Sequence, residues 1–137
     1  MLDTSVVVAG LRNPSGASGA WLLAALNDGC AAVTTALALE YVAVTTRPTF
    51  LRETSLARRE VEATIAAICD ASVLVNPTFS FRPALPDPDD EMVLEAAINS
   101  DAGVIVTFNV RDFAGADCFG LSVDRPSRAL EAYRERS

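Results

Sequence analysis

The chain has 137 residues, of which 50% are hydrophobic and 21% charged, a size and balance that fit one domain with a sizeable core. Its net charge is −7, it contains no histidine, and all eleven of its basic residues are arginine. The commonest general base and zinc ligand are therefore absent, and so are the lysines on which P-loop and Schiff-base chemistry depend.

Short apolar runs alternate with longer helical stretches, without repeat, low-complexity tract or linker, which predicts a single α/β domain over residues 1–137 with a central parallel sheet flanked by helices on both faces. Asp3 to Leu11 begins apolar and breaks at Arg12-Asn13-Pro14-Ser15-Gly16, a loop signal. Ser18 is placed to cap a helix through Trp21, Leu22 and Leu26, stopped at Asn27-Asp28-Gly29. Ala31 to Thr34 reads as a strand, followed by a helix from about Thr35 to Thr46 that halts at Arg47-Pro48. From Thr54 to Asp70, Val61, Ile65, Ile68 and Cys69 fall at i, i+4, i+7 and i+8, the signature of an amphipathic helix. Ser72 to Val75 is a strand; Pro83, Pro86 and Pro88 punctuate a loop, and a helix runs from Pro88 to about Ser100. A buried strand over 104–107, a short strand near Leu121 to Val123 and a helix from Pro126 onward complete the pattern.

No stretch of about 18 apolar residues is present, so no membrane span is expected. Met1-Leu2-Asp3 has no basic leader, which places the protein in the cytoplasm by default. Cys30, Cys69 and Cys118 are far apart and read as small apolar side chains, not as a disulfide framework or zinc site. The negative charge argues against broad adhesion to nucleic acid. It does not exclude nucleic acid as a substrate, because carboxylates gathered around a metal regain local positive charge when the ion binds.

In open parallel sheets, sites form beyond the carboxyl ends of the strands, and four polar places stand out at a strand end or on the inward face of a helix. Asp3 lies between two apolar runs, where an acid is expensive to bury without compensation; a helix cap beside Thr4 and Ser5 is the bland alternative. Glu40 has Ala36, Leu37, Ala43 and Val44 at its helical neighbours, so it faces a core or a cleft, unless it pairs with Arg47, Arg52 or another arginine. Asp87-Pro88-Asp89-Asp90 opens a helix. Capping explains Asp87 and Asp89, whereas Asp90 shares a face with Leu94 and Ala97 and looks inward. Asn109 and Asp112 follow the strand that ends at Thr107, a position suited either to a site or to a turn. Oxygen ligands of this kind suit Mg2+ or Mn2+.

Leu2-Asp3-Thr4-Ser5-Val6, the loop from Pro14 to Gly19, Glu40-Tyr41 with Arg47-Pro48, Leu85-Pro86-Asp87-Pro88-Asp89-Asp90, and the segment from Val106 to Phe113 together resemble the PIN domain, and within it the toxin branch of bacterial toxin–antitoxin systems. The order and spacing of these five blocks span nearly the whole chain. The resemblance implies a metal-dependent ribonuclease that cuts RNA. Asp3, Glu40 and Asp90 would be its acidic triad, Asp112 a fourth and more peripheral acid, and Thr4, Ser5, Thr107 and Asn109 groups that orient carboxylates or water. A cognate antitoxin protein and a homodimer are implied as partners. Many PIN domains carry an aspartate where this chain has Asn109, and the family has more residues before its first aspartate than Met1 and Leu2.

The implied chemistry is attack on a phosphodiester by water made acidic by Mg2+ or Mn2+, which requires neither histidine nor lysine. An aspartyl-phosphate domain of receiver or haloacid dehalogenase type would need a lysine. The other alternative is a catalytically impaired PIN-like module that acts by binding a partner protein or RNA.

Overall fold

In the computed structural model, residues 1–75, 93–94, 97, 103–114, 116 and 120–136 are described. The elements in chain order are α1 (Thr4–Arg12), α2 (Ala17–Asp28), β1 (Ala32–Val33), α3 (Thr35–Thr45), α4 (Pro48–Thr54), α5 (Arg58–Ala71), β2 (Val73–Leu74), β3 (Val104–Val106), a 3-10 turn (Val110–Phe113), β4 (Ser122–Asp124) and α6 (Pro126–Arg136).

The strands form two parallel pairs. In β1–β2, Ala32 is opposite Val73 and Val33 opposite Leu74. In β3–β4, Val104, Ile105 and Val106 face Ser122, Val123 and Asp124. Leu2 forms a parallel bridge to Val106, held by the Asp3 amide on the Val106 carbonyl and the Val106 amide on the Met1 carbonyl, both at 2.9 Å. The start of the chain thus runs beside β3 in the same direction, and Asp3, Thr107 and Arg125 all lie just past carboxyl ends of this parallel group. Parallel neighbours need long crossovers, and α3 to α5 supply the one between β1 and β2.

Local signals account for most element boundaries. Thr34 caps α3 by accepting the Leu37 amide at 3.1 Å, and Gly29 ends α2 in the left-handed region at φ 63°. On α5, Val61, Ile65 and Ile68 are buried, the face that the periodicity predicts. Two boundaries differ from the sequence reading. The helix α2 begins at Ala17 with Gly16 as its cap, so Ser18 sits inside the first turn. Arg47-Pro48 ends α3 but also starts α4, because proline has no amide to lose at the first helical position. Helix α5 accordingly starts at Arg58, after Ser55 closes α4 at φ 58°.

The core joins Val6 and Val7 of α1, Leu37 of α3, Ile65 of α5 and Ile105 of β3, each no more than 1% exposed. Val93, Leu94 and Ala97 are helical and buried, as expected of the helix read there. No helix among the described residues is long and apolar enough to cross a membrane.

Candidate functional site

Asp3 precedes α1 with an extended backbone, and its side chain makes no capping bond to that helix. The carboxylate is instead held by two hydroxyls. Thr107 donates to Oδ2 at 2.6 Å and Ser5 donates to the same oxygen at 3.0 Å. Asp3 is only 7% exposed, so these charge-assisted bonds offset part of its desolvation. The other oxygen, Oδ1, makes no hydrogen bond among the described residues.

The hydroxyls are themselves fixed. The Asn109 amide donates to Thr107 Oγ1 at 3.0 Å, and the Thr107 amide donates to the Asp124 carbonyl at 3.0 Å. The Phe108 amide reaches Ser5 Oγ at 3.5 Å. The loop after β3 is thereby tied both to the first helical turn and to the end of β4. Thr4 is half-buried at the start of α1 and makes no side-chain hydrogen bond among the described residues.

Glu40 lies on α3, half-buried. The buried face of that helix is Leu37, Tyr41 and Thr45, while Ala36 and Ala43 are exposed. Glu40 therefore stands on the rim of the buried face, not at its centre. Neither Arg47 nor Arg52 pairs with it, and it has no ion pair among the described residues.

Tyr41, one residue on, links α3 to the Asp3 segment by donating its hydroxyl to the Leu2 carbonyl. Burial pushes the Tyr41 phenol above its ordinary value, and the nearby Asp3 charge pushes it further the same way. The sequence reading gave Tyr41 no role. Its signal was its position four residues after Leu37, since a tyrosine on a buried face needs a partner for its hydroxyl.

Asp112 is exposed in the 3-10 turn, and Asn109, also exposed, precedes that turn without a side-chain capping bond. Asp90 lies outside the described residues, as do Asp87 and Asp89. Among the described residues, no three acidic or thiol side chains gather closely enough to share one ion. The structure thus brings Asp3, Ser5, Thr107 and the Asn109 backbone together, and leaves Asp112 on the surface. The donor chemistry around Asp3 nonetheless fits a hard divalent ion: a buried carboxylate with one oxygen held and the other available.

The sequence matches a family model described as PIN domain over residues 1–111. No curated protein and no solved structure matches the chain.

Proposed function

The chain belongs to the PIN domain family, and on that premise we propose that it is an endoribonuclease dependent on Mg2+ or Mn2+ that hydrolyses RNA phosphodiester bonds, the toxin of a toxin–antitoxin pair. PIN domains are nuclease-like as a class and generally use divalent metal ions. The observation that carries the reading in this chain is the Asp3 carboxylate, buried, oriented through Oδ2, and without a described partner at Oδ1.

Asp3, Glu40, Asp90 and Asp112 would hold the metal. When bound, such an ion supplies Lewis acidity toward a water and a phosphoryl oxygen. Thr107 and Ser5 keep Asp3 in one orientation, so no rotamer search is needed when substrate arrives. Tyr41 holds the Leu2 carbonyl and with it the peptide that leads into Asp3. Glu40 adds a carboxylate that no described arginine neutralises. Asn109 offers an amide oxygen without charge. A central parallel sheet flanked by helices on both faces would set the carboxyl ends of its strands, with Asp3 among them, along one edge. An antitoxin would cover this acidic edge with a basic side chain, and the toxin would pair as a homodimer.

A second reading is a PIN-like module that binds a protein or RNA without turnover. It is favoured by Asn109 and by the lack, among the described residues, of three acids around one point. Magnesium titration with RNA cleavage as the readout separates the two, comparing the parent with Asp3→Asn. Metal-dependent cleavage that falls to background in the variant supports the nuclease. Cleavage unchanged in the variant assigns it to another site or a contaminant, and a parent that binds no metal favours the binding module.

A further inference from the structure

A second concavity, of about 260 Å³, opens beside the Asp3 site. Its walls come from the first turns of α2 and α6, from Asn13 at the end of α1, and from Phe108 and Arg125 in the two loops past β3 and β4. That volume lies just under the roughly 300 Å³ at which small-molecule pockets begin, a size that suits one nucleotide unit better than a larger enclosed ligand.

The lining is rich in donors and poor in acids. Gly16 caps α2 without a side chain, so the amides of Ala17 and Ser18 have no capping partner among the described residues. Pro126 opens α6, and the Ser127 amide in its first turn has no backbone partner among the described residues. Helices of 12 and 11 residues thus turn their positive ends toward one groove.

Independent of the helix ends, Ser18 is 5% exposed, and its hydroxyl makes no hydrogen bond among the described residues. Since no closed-off polar side-chain atom among the described residues lacks a partner, that hydroxyl keeps some open surface, and Ser18 lines this groove. Arg125 is exposed and forms no ion pair among the described residues, whereas the neighbouring Asp124 carboxylate is 3.8 Å from Arg128. Phe108 is 40% exposed, an aromatic ring at the groove's edge one residue from Thr107.

We propose that this groove is a substrate subsite that takes a phosphodiester of single-stranded RNA, bound by Arg125, Ser18 and the amides of the α2 and α6 first turns, while Phe108 stacks on an adjoining base. The proposal rests on the nuclease reading above and adds to it where the strand lies. In a chain of net charge −7, a local cationic cradle is what holds a polyanion next to the buried Asp3 carboxylate. Bases stack on aromatic rings whatever their identity, so this subsite positions RNA without reading its sequence.

The test measures binding of a fluorescein-labelled single-stranded RNA of roughly twelve nucleotides, with calcium replacing magnesium, across a range of salt. Arg125→Ala is expected to weaken binding about tenfold and to lower the slope of log Kd against log salt by about 0.7, the loss of one phosphate contact. Phe108→Ala is expected to weaken it at least about fivefold without changing the slope. In parallel, inorganic phosphate titrated into the parent should shift the backbone amide resonances of Ala17, Ser18 and Ser127, and fail to do so in Arg125→Ala. Equal Kd and slope in the parent and both variants would overturn the proposal, as would phosphate shifts located elsewhere. If the parent shows no cleavage but phosphate still moves those amides, the nuclease reading fails and the anion subsite stands.

Discussion

Thr107 donates a 2.6 Å hydrogen bond to Asp3 across a separation of 104 residues, so the strand leaving the core and the start of the chain meet at one carboxylate oxygen. The bond exists because Leu2 is in register with Val106. A shift of one residue in that pairing would turn the Thr107 hydroxyl to the other face. Replacing Thr107 by valine keeps the shape and removes the donor. Charge-assisted bonds of this kind contribute about 1.5–3 kcal/mol, so urea denaturation should find Thr107→Val less stable by that order. Thr107→Ser should recover most of the difference; equal stability of parent and Thr107→Val would deny the bond any importance.

Glu40 tests the opposite case, a half-buried acid with no described partner. Glu40→Gln should leave stability within about 0.5 kcal/mol of the parent, because no described ion pair is broken, while metal-dependent RNA cleavage falls sharply. A large loss of stability on this change would mean that Glu40 holds the fold together.

Both tyrosines of the chain titrate above the ordinary value near 10, Tyr41 through burial and Tyr133 first through its 2.8 Å hydrogen bond to Asp28. Absorbance titration of the folded protein at 295 nm should therefore show little tyrosinate at pH 10, and the urea-unfolded chain about half-ionised phenols. The sign for stability follows. Above pH 10 the unfolded chain releases phenolic protons that the folded one retains, so stability is complete below that pH and declines as pH rises through it. For the buried Tyr41 alone the slope approaches about 1.4 kcal/mol per pH unit. Stability that rises between pH 10 and 11 would contradict this placement of Tyr41.

Gly19 sits in the first turn of α2, where a β-carbon would lie 2.0 Å from the Pro14 carbonyl oxygen. Backbone cannot move aside as a flexible side chain can. Gly19→Ala should cost at least about 2 kcal/mol in thermal or urea unfolding, and should disturb the α2 turn that lines the proposed RNA groove. Gly103→Ala, with no described residue within 4 Å of the added carbon, should stay within about 0.5 kcal/mol of the parent. Equal effects of the two would mean that the Pro14 carbonyl does not press on Gly19.

Much of the fold is legible along the chain because its signals act over about four residues. The Thr34 cap, the Gly29 stop and the buried stripe of α5 are each carried by neighbours in sequence. Where two local signals compete, the reading slips: Arg47-Pro48 ends one helix and begins the next. Likewise Ser18 has the chemistry of a cap, yet Gly16 takes that place and leaves the serine hydroxyl to the groove.

The residue types alone determined that any catalysis by these residues must do without histidine and lysine, and their spacing marked Asp3 and Glu40 as acids set among apolar neighbours. Which hydroxyls hold Asp3, the freedom of Glu40 from any described arginine, and the meeting of Arg125 with two helix ends were decided only by tertiary structure. Strand register and helix packing set these contacts across as many as a hundred residues, and no pattern confined to neighbouring positions carries that distance.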